Sequence, residues 1–377
     1  MEPSEGRDLL IMKFLHYFIT EKNYNPVVVH GVKDEIWLEN MDSDIKIVRL
    51  VLGYVHNKEQ LDFDSFKVKK MANQIRLKTF SLKMNVMTFY LDLNEDLTLE
   101  SIKNNILIKA NTEDDFKDNK YLKKYFPDLN DKLIFNEEGI RLFEKINEDI
   151  LRKNLDQSEK MTDLFSTKKP IITNSLIAIM LIVFFMMYIF GNGSDNIETL
   201  YNFGALIKNG SIIRLFTSIF LHIGLIHLVM NLYALYILGK QVESFYGHIK
   251  TLIIFLYSGV IGNLLSIIIM SSKTISAGAS GSIFGLMGAL LYFAINQRTY
   301  MGEALKKEIL PVIIINLMLG FMVPSINMAA HIGGLVAGII ISIALGVKYK
   351  SSKFERINGS IASLILLGML IYMAYFI

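Results

Sequence analysis

Residues 278–296 read GASGSIFGLMGALLYFAIN, a run without a single charged side chain. Spanning a hydrocarbon core roughly 30 Å thick takes about 20 apolar residues in a helix, so this run reads as a membrane span. Gly281, Gly285 and Gly288 recur at helical spacing along it, the arrangement that lets a second helix come close. Six further apolar stretches surround it, at 171–190, 225–238, 250–270, 309–323, 328–345 and 361–377. Seven spans in one chain read as a polytopic α-helical membrane protein.

Upstream the composition changes. Residues 1–169 hold 57 of the 75 charged side chains and residues 170–377 hold 18. The sequence therefore divides into a small soluble α/β domain, 1–165, and a membrane domain, 166–377. In the first, 5–21 has helical spacing, 26–30 and 34–39 read as short strands, 82–93 as a longer one, and 137–160 as a charged helix. His16, His30 and His56 lack metal-ligand spacing, and the acidic run 113–118 lacks the glycine and spacing of a calcium loop, so it reads as a solvated loop. A net charge of +3 without long basic runs argues against nucleic acid. The chain has no cysteine, which excludes disulfides and thiolate metal sites. Its start, MEPSEGRDLLIMKFLHYF, is acidic and broken by charge, unlike a secretory signal. The soluble domain is thus expected in the cytoplasm.

Lysine and arginine flanking membrane spans stay on the cytoplasmic side. With the soluble domain inside, eleven such residues, from Lys168 to Arg356, flank the spans inside, and only Lys208, Arg214 and Lys273 lie outside. The second, fourth and sixth spans then all run inward. His227 with Asn231, Ser280 and His331 stand at or near the start of these spans, so topology places them at one depth near the outer face.

Polar groups inside a membrane are costly and mark function. A serine among glycines is, alone, most often a packing device, and a lone membrane histidine is often structural. Here the types complement one another. Ser280 needs a base, His331 can supply one, and His227 and Asn231, one turn apart, can donate to a developing oxyanion. No carboxylate accompanies them, so the pattern is a Ser/His dyad, and Phe284, one turn beyond Ser280, can offer its ring face to the imidazole. No metal or other cofactor is needed. A transporter would instead carry inverted repeats, broken spans and charges near the midplane, and the sequence shows no such charges.

HxxxN in the second span, GxSG opening the fourth and AHxGG opening the sixth resemble the rhomboid intramembrane serine proteases, over roughly residues 201–345. The resemblance implies a six-helix core, from which the one additional C-terminal transmembrane helix is a departure. It also implies Ser280 as nucleophile, His331 as base and then acid, and an oxyanion hole from His227, Asn231 and the Ser280 backbone N–H. Gly278 would permit the bend before the nucleophile, His222 would support the site, and Arg214 would be structural. The implied substrates are transmembrane proteins in the lipid bilayer of the cell membrane, cut near its outer face at a small residue. By analogy, the N-terminal domain would be regulatory, through a ligand or protein partner. Ile213 stands where the family commonly has tryptophan, and the N-terminal domain matches no motif. The alternative is a non-catalytic rhomboid-like binder or chaperone, though such relatives usually lack the serine or histidine.

Overall fold

The computed structural model describes residues 5–29, 32–102, 104–269, 271, 274–323 and 326–377. His30, Met270 and Lys273, which enter the reading above, lie outside the described residues. The chain divides into two compact units, Met1–Glu159 and Lys160–Ile377.

In the first unit, α1 (Glu5–His16) continues as a π-helical turn, Tyr17–Glu21. There follow β1 (Asn25–Val27), β2 (Glu35–Glu39), β3 (Ile47–Val51), α2 (Lys58–Lys78), β4 (Val86–Tyr90), β5 (Asn105–Lys109), α3 (Asp114–Lys117), α4 (Lys120–Tyr125), α5 (Leu129–Lys132) and α6 (Gly139–Phe165), which carries the chain past the unit boundary. The strands form one sheet in sequence order, antiparallel across β1–β2–β3 and parallel across β3–β4–β5. A parallel pair needs a crossover, and α2 supplies it between β3 and β4. Its first turn is capped by Asn57, whose side chain accepts from the Gln60 N–H at 2.9 Å.

One sheet face, through Val48, Leu50, Met87, Phe89 and Ile108, packs on Phe14, Phe18, Phe116 and Leu122. The other, through Trp37, Ile47 and Val86, packs on Val68 and Ala72 of α2. Both β3 and β4 are buried along their whole length, so their apolar residues run on without alternation. The longer strand expected over 82–93 is confined to Val86–Tyr90. The acidic run 113–118 contains the short helix α3. Its carboxylates pair with lysines: Glu113 with Lys13, Asp114 with Lys117, Asp115 with Lys109 and Asp118 with Lys123.

The second unit comprises α7 (Ile171–Ile189), α8 (Ile197–Phe203), β6 (Leu206–Ile207), α9 (Arg214–Thr217), α10 (Gly224–Tyr246), α11 (His248–Ile269), β7 (Ile275–Ser276), α12 (Ser280–Asn296), α13 (Arg298–Ala304), α14 (Leu310–Met322), α15 (Met328–Leu345) and α16 (Lys353–Phe376). Each of the seven expected stretches falls on a helix. Among the described residues, α7, α10, α11, α15 and α16 are long and apolar enough to cross a membrane, while α12 is shorter at 17 residues. α14 has 13 residues and follows a π-helical turn, Leu305–Ile309. α10 runs on past residue 238 through KQVESFY, and there Glu243 caps a neighbouring helix. Pro170 offers no capping side chain to α7, and the buried Glu243 carboxylate instead accepts from the Ile172 and Thr173 N–H groups at 2.7 and 2.9 Å.

Glycines set the central helix contacts. A Cβ on Gly334 of α15 would fall on the Gly281 carbonyl of α12, and one on Gly338 would fall on the Gly285 carbonyl. On its other side α15 meets α11, where a Cβ on Gly262 would lie 2.6 Å from the Ala330 carbonyl oxygen. Backbone meets backbone at these points, and this fixes how α15 presents its first turn.

Candidate active site

Ser280 is the first residue of α12, and Ala279 before it supplies no capping side chain. The first N–H groups of the helix, that of Ser280 included, are therefore left without helical acceptors, at the positive end of the helix dipole. The bend into the helix is made at Gly278, whose φ of +137° suits glycine alone. Its N–H donates to the Ser218 carbonyl at 2.9 Å. A Cβ here would lie 2.8 Å from Cε1 and 2.9 Å from Nε2 of His227, so the missing side chain also makes room for that ring.

His331 lies in the first turn of α15. Asn327 caps this helix, accepting from the Ala330 N–H at 3.2 Å, and its amide donates to Ser266 of α11 and Ser276 of β7 at 2.5 and 3.0 Å. The His331 ring is buried and stacked on Phe284, with centroids 4.2 Å apart and planes 19° apart. Its Nδ1 has no hydrogen-bond partner among the described residues.

On α10, His227 Nδ1 accepts the Ile223 N–H at 3.4 Å, which leaves Nε2 as the donor nitrogen of the neutral ring. Asn231 Nδ2 donates to the His227 carbonyl at 2.9 Å and retains a second N–H. The fully buried His222 ring stands edge-on to His227 at 5.2 Å.

Ser280, His331, Asn231 and Phe284 line one cavity of about 530 Å³ between α10, α12 and α14. His227, Gly278 and His222 form a cluster beside it, joined through Asn231. The Ser280 hydroxyl and the His331 imidazole share the cavity without a hydrogen bond between them. Arg214 holds the end of α8 and the backbone after it, donating to the Tyr201 and Ala205 carbonyls, each at 2.9 Å. The cavity is also lined by Gln241, Glu308 and Asn316, none of which stands out in sequence. Residues 308, 309, 312, 313 and 316 do have the spacing of one helical face, but sequence does not say which helix that face meets.

A family model described as Rhomboid domain matches residues 209–348. The rhomboid protease GluP of Bacillus subtilis is 31% identical over 369 residues, covering 92% of this chain and 71% of that protein. The putative rhomboid protease YdcA of the same organism is 32% identical over 154 residues, 41% of this chain and 76% of its own length. RHOMBOID-like protein 6, mitochondrial, of Arabidopsis thaliana is 37% identical over 170 residues, 43% of this chain and 55% of that protein.

Proposed function

The chain belongs to the rhomboid family of intramembrane proteases, and we propose that it cuts transmembrane protein substrates by serine chemistry at a Ser280/His331 dyad. The observation that carries this reading is the single cavity lined by Ser280, His331 and Asn231. In the proposed reaction, the Ser280 hydroxyl attacks the scissile carbonyl while His331 takes its proton. The oxyanion is met by the Ser280 N–H at the start of α12, by His227 Nε2 and by the free N–H of Asn231. His331 then protonates the leaving amine, and water releases the acyl group by the same route in reverse.

A membrane helix conceals its carbonyls in its own hydrogen bonds. Substrates whose spans unwind easily at glycine or proline are therefore favoured. The lysine and arginine asymmetry supports a cell-membrane orientation with residues 1–165 in the cytoplasm and Ser280 and His331 towards the outer face. The test is cleavage of a single-span substrate in liposomes by the wild type, Ser280→Ala and His331→Ala, with folding of each checked by thermal denaturation. Cleavage by the wild type alone supports the dyad; cutting by folded Ser280→Ala removes Ser280 as nucleophile.

A further inference from the structure

A helix is about 10 Å across, and five strands spaced about 4.8 Å apart are more than twice as broad. On one face of the sheet in the first unit, α2 packs on Trp37, Ile47 and Val86, and the margin at β5 is left open. A groove of about 600 Å³ lies there, between α2 and the β4–β5 edge, within the range of small-molecule sites.

Its chemistry has two parts. Val68, Ala72, Met84 and Val86 give it apolar walls, and Phe66 and Leu82 at the rim are exposed to 66% and 95%. Lys69, Arg76 and Lys83 line it against one carboxylate, Asp62. None of the three cations has a side-chain hydrogen bond or ion pair among the described residues. At the floor is Asn105, only 8% exposed. Its Oδ1 accepts from the Thr88 hydroxyl at 3.1 Å, and its Nδ2 has no partner among the described residues. A buried donor without an acceptor is costly, and an acceptor brought by a ligand would satisfy it.

We propose that this groove binds a small oxyanion on an apolar body, such as a medium-chain carboxylate. The apolar part lies against Val68, Ala72 and Val86, the Asn105 amide donates to the oxyanion, and Lys69, Arg76 and Lys83 balance its charge. A neutral or cationic amphiphile of the same length leaves the three cations unpaired. The site is independent of the protease reading, because every residue in it precedes residue 106.

The test uses the full-length protein in phosphatidylcholine nanodiscs with 8-fluorooctanoate as probe, read as ¹⁹F line broadening beyond that of empty nanodiscs. Octanoate should compete it away, and 8-fluorooctanol should bind at least about tenfold more weakly, the scale of losing charge-assisted contacts. Neutralising the surface cations together (Lys69→Gln, Arg76→Gln, Lys83→Gln) should weaken 8-fluorooctanoate by a similar factor without disturbing the fluorescence of Trp37, the single tryptophan. Asn105→Asp should abolish binding. If phosphatidylglycerol nanodiscs displace the probe, the oxyanion recognised is a lipid headgroup; if they do not, it is a free ligand. Equal binding of the alcohol, an unchanged affinity in the folded triple variant, or broadening no greater than in empty nanodiscs overturns the assignment.

Discussion

The ring of Phe284 lies against the imidazole of His331 with centroids 4.2 Å and planes 19° apart. The Nδ1 of that imidazole has no hydrogen-bond partner among the described residues, so none of their carboxylates fixes its orientation through that nitrogen. What holds the ring is the Phe284 face and the seat of α15, which is set by contacts that only glycine allows.

Stacked aromatic pairs contribute about 0.5–1.5 kcal/mol beyond burial. Phe284→Leu stays apolar, gives up only part of the volume and loses the ring face, so kcat/KM for a single-span substrate should fall about 3- to 10-fold. Phe284→Tyr should keep most of the activity. Equal losses in both would mean that packing alone, and not the aromatic face, supports His331.

Gly334 is the sharper test of how α15 is seated. A Cβ there meets the Gly281 backbone, and backbone cannot rotate away. Gly334→Val should destabilise the membrane unit by about 1–3 kcal/mol. It should lower cleavage by about 100-fold or more, because small displacements of reacting groups are that costly. Gly368→Ala on α16 is the control, since its Cβ would have no heavy atom within 4 Å. Thermal denaturation and cleavage should both leave that variant at the wild-type level.

What the sequence carries, and what it does not, follows from where the information resides. The membrane helices are legible because hydrocarbon demands long apolar runs, and Ser280, His331, His227 and Asn231 are legible because they are polar within such runs. In the first unit, β3 (IVRLV) and β4 (VMTFY) are buried on both faces. The alternation that betrays a strand is therefore missing, so β3 escapes the pattern and the strand expected over 82–93 overruns β4 at both ends. α2 escapes it too, because Ser65 sits among the buried Leu61, Val68 and Ala72 while Phe63 and Phe66 are exposed, which blurs the apolar stripe. Glu308 looks in sequence like a flanking charge at a span end. Only the placement of the π-helical turn 305–309 beside α12 brings it to the cavity wall.

The proposed orientation can be read chemically, because the chain has no native cysteine. Single cysteines at exposed Glu198 and Asp118 should behave oppositely towards a membrane-impermeant maleimide. In intact cells Glu198→Cys should be labelled, and Asp118→Cys should be labelled only after permeabilisation. The reverse pattern would invert the membrane domain and move Ser280 and His331 to the cytoplasmic side.

Acid should unfold the first unit through Glu35. Burial alone would raise the pKa of this carboxyl, but Arg49 at 2.6 Å, Lys67 at 2.6 Å and the Trp37 N–H at 2.9 Å hold it below its ordinary 4.5. A depressed carboxyl contributes stability that is fully present above its unfolded value and is lost as pH falls through the folded one. Asp64 still pairs with Arg49 through two contacts of 2.6 Å, so the wild type should be more stable than Glu35→Gln by about 1.5–3 kcal/mol at pH 7, the scale of hydrogen bonds to a charged group. That advantage should persist down to about pH 5 and shrink steadily below 4.5. Trp37 touches the network directly and is the single tryptophan, so its fluorescence in urea titrations at pH 7, 5, 4 and 3 reads the difference. A gap between the two proteins that stays constant from pH 7 to 3 would show that the Glu35 charge does not govern the acid stability of this unit.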